Sequence, residues 1–110
     1  LDDDIGDDAY LDTLKAYLPD TLDAVAPDLV FYLGGIDVAA DDRFGRIALS
    51  RDGLHARDGY VLEQIRARRL PVVLLLSGGY AETPEATADL HAVMHREAAN
   101  VFRPASPPTQ

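Results

Sequence analysis

Leu29-Val30-Phe31-Tyr32-Leu33-Gly34-Gly35-Ile36-Asp37 and Val72-Val73-Leu74-Leu75-Leu76-Ser77-Gly78-Gly79-Tyr80 follow one plan. Each is a short aliphatic or aromatic run closed by glycines, which is how a buried strand of a parallel sheet reads. A helical stretch separates them, giving strand, loop, helix, strand. A right-handed crossover makes two such strands parallel. Their carboxyl ends then share one edge of the sheet, where open α/β folds build their sites. A carboxylate, Asp37, and a phenol, Tyr80, each sit on a glycine-loosened loop at that edge. The fold class is α/β, and this pair is the first candidate for chemistry.

Working outward, Asp7 is the expected N-cap of a helix with Leu11, Leu14, Leu18, Leu22 and Val25 at helical spacing. Pro19 should kink or restart it, because proline removes a backbone donor. Pro27-Asp28 launches the first strand, and Ala39 to Leu49 forms a long loop. Ser50 caps the crossover helix, whose inward face is Leu54, Val61, Leu62 and Ile65. Its last turn holds Arg66, Arg68 and Arg69, the sign that suits the negative end of a helix dipole. Pro71 opens the second strand. Thr83-Pro84-Glu85 reads as N-cap, first position and acidic first turn of a final helix reaching about Asn100. The segment from Pro104 to Gln110 is rich in proline and serine, and is expected to be a disordered tail.

Composition excludes several classes of function. The chain of 110 residues is 47% hydrophobic, enough to bury a core but small for a doubly wound sheet. It starts at Leu1 in an acidic run, and the expectation is a piece of a longer protein. A net charge of -9 argues against direct nucleic-acid binding, which needs clustered Lys and Arg. Without cysteine there is neither a disulfide framework nor a thiolate metal site. The longest apolar run falls well short of the roughly 18 residues of a membrane span. A cytoplasmic location is the default expectation.

Taken singly, the candidates have plain structural readings as well. Asp37 can be a turn aspartate or a cap acceptor, with Gly34 and Gly35 allowing a sharp turn and a close approach. Tyr80 can be a core tyrosine, although a neutral phenol also suits an oxyanion. Asp41 and Asp42 are exposed loop acids before they are metal ligands, and Asp2 to Asp4 read as a solvated flank. His91 and His95 have the spacing of a two-histidine zinc site, but no glutamate follows the first histidine. His55 has no metal-site context.

Two other classes were weighed. A phospho-acceptor receiver domain needs a lysine after its last functional strand, and the single lysine, Lys15, lies far upstream. A small phosphate- or nucleotide-binding module could use Ser77-Gly78-Gly79 as an anion nest, but lacks the lysine and glycine spacing of a P-loop.

In order, Pro27-Asp28-Leu29-Val30, Gly35-Ile36-Asp37, Asp42-Arg43-Phe44-Gly45, Leu49-Ser50 with Gly53, and Ser77-Gly78-Gly79-Tyr80 resemble the C-terminal part of the histone deacetylase family. The likeness covers residues 6 to 98. The Ser-Gly-Gly-Tyr form resembles class IV and related bacterial members. The resemblance implies the arginase/deacetylase fold, a three-layer α/β/α arrangement with a parallel sheet. Residues 1–103 would be the C-terminal part of that domain and 104–110 the tail.

The resemblance further implies a zinc-dependent deacetylase, an amidohydrolase acting on acylated lysine or an acylated small amine. Asp37 corresponds to a metal-ligand aspartate and Tyr80 to the tyrosine that stabilises the oxyanion. Phe44 falls where the acyl-lysine tunnel is lined, and Gly78 and Gly79 match the loop flanking it. Asp42-Arg43 matches a structural pair. The family's paired catalytic histidines and its Asp-x-His ligands match nothing here, and His55, His91 and His95 lie outside such motifs. On this likeness the isolated chain is inactive, and its necessary partner is the remainder of the parent deacetylase domain.

Overall fold

A computed structural model describes residues 6–35, 49–75 and 83–103. The expected loop from Ala39 lies outside the described residues up to Leu49, as does the tail 104–110. The elements run α1 (Asp7–Val25), β1 (Val30–Leu33), α2 (Arg51–Ala67), β2 (Val72–Leu75) and α3 (Pro84–Val101).

β1 and β2 are neighbours and parallel, with Val30 opposite Val72 and Leu33 opposite Leu75. The ladder extends one step past each end of β1. Val30 N–H donates to Pro71 O at 3.0 Å, and Gly34 N–H donates to Leu75 O at 3.2 Å. Parallel strands cannot be joined by a tight turn, and α2 supplies the crossover. Val30, Tyr32, Val72 and Leu74 point to one face and pack on Val61, Leu62 and Ile65 of α2. Leu14 and Leu18 of α1 and Ala98 and Val101 of α3 close the same cluster.

The other face of the sheet differs from what a continuous apolar run predicts. Phe31 and Leu33 are 59% and 58% exposed, and Val73 and Leu75 are 38% and 40% exposed. Parallel sheets are ordinarily covered on both faces. Among the described residues one helical layer is present, and these four side chains make the kind of surface a second layer covers.

All four residues expected on the inward face of α2 are buried. A second core of Leu49, Leu54, Leu90 and Val93, with Tyr10 against it, joins the starts of α1 and α2 to α3. Thr83 and Pro84 open α3 as expected, the Thr83 hydroxyl accepting from Ala86 N–H at 3.0 Å. Polar ties supplement the apolar packing. Arg51 grips Asp89 through both guanidinium nitrogens, and His55 Nδ1 meets Glu97 Oε1 at 2.6 Å. The Arg51–Asp89 pair is exposed, and a surface pair of that kind contributes little by itself. Among the described residues no helix is long and apolar enough to cross a membrane.

Two expectations for α1 are corrected. The helix runs continuously through Pro19 instead of restarting there. The lost backbone bond is outweighed by Leu14, Leu18 and Leu22, which hold the helix to the rest of the fold on either side of the proline. Asp7 is not the cap of α1, since Gly6 occupies that position with no side-chain bond. Asp7 instead reaches the start of α2, where its carboxylate accepts Ser50 N–H at 2.8 Å and the Ser50 hydroxyl. Ser50 Oγ in turn accepts from Gly53 N–H at 2.9 Å, so the cap of α2 is built by two elements. Two backbone turns finish the helices. Ala26 ends α1 in the left-handed region at φ 48°, its N–H bonded to Leu22 O. After α2, Arg68 becomes the C-cap and turns back to α1, donating from Nε to Asp23 Oδ1 at 2.8 Å. That bond from Arg68 holds the exposed Asp23 carboxyl below its usual range.

Gly53 is required by this cap. A Cβ there would collide with the Asp7 carboxylate. Alanine for glycine inside a helix ordinarily gains roughly 0.5–1 kcal/mol. Here Gly53→Ala is expected to forfeit that gain, because displacing Asp7 from Ser50 costs about 1 kcal/mol, the usual worth of a lost cap bond. In an Asp7→Ala background the same change should become neutral or favourable. A double-mutant cycle of urea unfolding on these two positions checks the coupling.

Candidate active site

The carboxyl ends of β1 and β2 lie side by side, because the strands are adjacent, parallel and in register through Leu33 and Leu75. The chain leaves β1 through Gly34 and Gly35. Gly34 is buried, and its missing side chain makes room for Met94 of α3, whose sulfur would meet any Cβ at that position. Gly35 N–H turns back to Leu33 O at 2.9 Å. The edge predicted from the two glycine-closed runs is therefore present. Asp37, Phe44, Gly78, Gly79 and Tyr80 lie outside the described residues, as do Asp41, Asp42 and Arg43.

Directly behind that edge is a polar network that the sequence reading missed. Arg57 and Asp58 of α2 are 5% and 1% exposed, the two buried charged residues of the described core. Arg57 Nε donates to Asp58 Oδ1 at 2.9 Å. The same oxygen accepts the Tyr32 hydroxyl at 2.5 Å. Arg57 Nη1 donates to the carbonyl of Gly35 at 2.5 Å. A continuous run of hydrogen bonds thus leads from the middle of β1, through α2, to the backbone just beyond β1.

The electrostatics follow from burial. Removal from water pushes the Tyr32 phenol far above its ordinary value, with Asp58 adding to the shift and Arg57 opposing it. Burial works against the Arg57 charge, but Tyr32 and Asp58 more than restore it, leaving the guanidinium pKa raised. A neutral phenol, a carboxylate and a guanidinium make a satisfied donor and acceptor chain, apart from Arg57 Nη2, which is buried without a hydrogen-bond partner among the described residues. The sequence does carry the signal. Residues 54, 57, 58, 61, 62 and 65 form one helical stripe, so Arg57 and Asp58 fall among the apolar residues of the inward face.

The three histidines stand on α2 and α3. His55 is tied to Glu97, His91 is half-buried and His95 exposed. Among the described residues no group of three or more His, Cys, Asp or Glu side chains stands together to hold a metal ion. Ser77, Gly78 and Gly79, the residues of the anion-nest reading, lie outside the described residues.

Comparison with known proteins adds family information. A model of the histone deacetylase domain matches residues 1–98. The chain is 38% identical over 102 residues to an uncharacterized protein of Picosynechococcus sp., spanning 93% of this chain and 34% of that protein. It is 36% identical over 76 residues to histone deacetylase 2 of Arabidopsis thaliana, spanning 69% of this chain and 20% of that protein. The chain thus covers about a third or less of the length of these relatives.

The buried network makes two checkable statements. Asp58→Ala strands the Arg57 charge in the core and should cost about 3–5 kcal/mol in denaturant unfolding. The raised Tyr32 pKa gives a second, with a definite sign. Its contribution is complete below the unfolded phenol pKa near 10 and is lost as pH rises beyond it. Between about pH 9 and pH 11, wild type should therefore lose more stability than Tyr32→Phe. Equal slopes in the two proteins would contradict the assignment.

Proposed function

The chain belongs to the histone deacetylase family, and from that premise we propose that it supplies part of a zinc-dependent amidohydrolase that removes acyl groups from acylated lysine or an acylated small amine. The observation that carries the reading is the parallel pairing of β1 with β2, which brings the stems of two glycine loops to one edge. Asp37 is the metal ligand in this proposal and Tyr80 the oxyanion donor. Phe44, Gly78 and Gly79 border the acyl chain. The family's paired histidines and Asp-x-His ligands match nothing in this sequence, and in this proposal the rest of the deacetylase domain supplies them. The enzyme works in the cytoplasm and contacts neither membrane nor nucleic acid directly.

Each residue type suits its role. A carboxylate is an ordinary zinc ligand beside imidazole. When bound, zinc would polarise the amide carbonyl and lower the pKa of the attacking water. Tyr80, protonated at neutral pH, would donate its hydroxyl to the oxygen on which negative charge develops. Glycines at 78 and 79 let the backbone approach an extended acyl-lysine stem closely.

In the complete deacetylase domain, Asp37→Ala and Tyr80→Phe should fail in different ways. The first should lose bound zinc together with activity. The second should keep zinc and lose about 10²- to 10³-fold in turnover, the usual worth of one oxyanion donor. Metal analysis beside an acyl-lysine hydrolysis assay separates them, and full zinc content in Asp37→Ala would remove the ligand assignment. The 110-residue chain alone should neither hydrolyse acyl-lysine nor bind zinc tightly, since a catalytic zinc ordinarily takes three protein ligands. Calorimetric zinc titration tests this. Tight binding abolished by His91→Ala would place the metal on α3 instead.

A further inference from the structure

Arg57 is an expensive residue to place where it stands. A guanidinium removed from water needs a partner for its charge and acceptors for its donors. Asp58 supplies the first, yet Nη2 has no hydrogen-bond partner among the described residues. An apolar side chain would fill the position on α2 without either difficulty. What an apolar side chain would not supply is the bond from Nη1 to the Gly35 carbonyl at 2.5 Å.

That bond lies at a sensitive place. Gly34 and Gly35 have no side chains with which to fix their own backbone, and glycine backbones have the widest choice of conformations. Among the described residues the last ladder bond of β1 is that of Gly34 N–H to Leu75 O. Gly35 is held by its own turn back to Leu33 O and by the bond from Arg57. Tyr32 and α2 fix the arginine from behind. The Tyr32 hydroxyl and Arg57 Nε both converge on Asp58 Oδ1, so neither the carboxylate nor the guanidinium can rotate without breaking a bond.

We propose that Arg57, held by Asp58 and Tyr32, is a positioning residue that pins the Gly35 carbonyl and so aims the loop carrying Asp37. It touches neither metal nor substrate, and acts through two residues of backbone. The proposal rests on the reading of Asp37 as a metal ligand. It assigns a role in the active site to an ion pair otherwise explicable as core structure.

The experiment uses the complete deacetylase domain and compares wild type with Arg57→Lys. A lysine keeps the charge beside Asp58, but its single ammonium lacks the planar fork that holds Asp58 and the Gly35 carbonyl together. Three quantities are read: amide hydrogen exchange of residues 35–38, zinc affinity by chelator competition, and kcat and KM on an acetyl-lysine peptide. Expected are faster exchange in that segment and an affinity loss of about 10- to 100-fold, the usual cost of losing a partner that orients a ligand. kcat should fall with little change in KM. Unchanged exchange would overturn the pinning, and faster exchange with wild-type zinc affinity and kcat would overturn its role in the site. Asp37→Ala, run in parallel, separates the two readings. If it retains zinc, the ligand assignment fails, while the exchange data still decide whether Arg57 holds the loop. Should Arg57→Lys not fold, Tyr32→Phe takes its place. It leaves the ion pair and removes only the hydroxyl, and should shift the same readouts in the same direction by a smaller factor.

Discussion

Two adjacent parallel strands cannot be linked by a short turn, and this constraint organises everything else in the chain. The return path from the end of β1 to the start of β2 must travel the length of the sheet, and α2 makes that journey. Once α2 lies across Val30, Tyr32, Val72 and Leu74, its flanks become the seats for α1 and α3. The same constraint decides where a site can form. Both strands end at one edge, where the chain leaves β1 through Gly34 and Gly35.

The helical layer is joined by two kinds of contact with different tolerances. Leucine, isoleucine and valine side chains make a close-packed interior in which small volume changes are felt. Around it, Arg51 with Asp89, His55 with Glu97 and Arg68 with Asp23 link pairs of helices from the outside. Several of these side chains are well exposed, so ionic strength weakens them. Arg57 and Asp58 belong to neither group, being charged yet buried, and screening by salt hardly reaches them. Their environment is set by Tyr32 and by the backbone of Gly35.

Much of the fold was legible because local signals and tertiary demands agree. Two apolar runs closed by glycine marked the strands, Ser50 and Thr83 marked helix starts, and the stripe of Leu54, Val61, Leu62 and Ile65 marked the buried face. Misreadings occurred where a residue serves an element other than its own. Asp7 precedes a helix and looks like its cap, but the acceptor is used by α2. Pro19 looks like a break, but packing from both sides carries the helix through it. Arg57 and Asp58 went unnoticed because attention to an apolar stripe passes over charged residues within it. In the sequence the candidate site reads as motifs in order, and the sheet accounts for how the stems of two distant loops begin together. The bond from Arg57 to the Gly35 carbonyl behind one of those stems came only from the three-dimensional arrangement.

The shared cap of α2 has a consequence for how such sequences can vary. The Asp7 carboxylate occupies the space that a side chain at position 53 would need. A lineage that enlarges position 53 first loses the tie from Asp7 to Ser50, whereas one that shortens position 7 first opens a space that a methyl group can then occupy. The order of substitutions therefore matters, and one path between the two end states is easier than the other. Positions 7 and 53 are coupled through one shared volume, despite lying in different helices on opposite sides of the first strand.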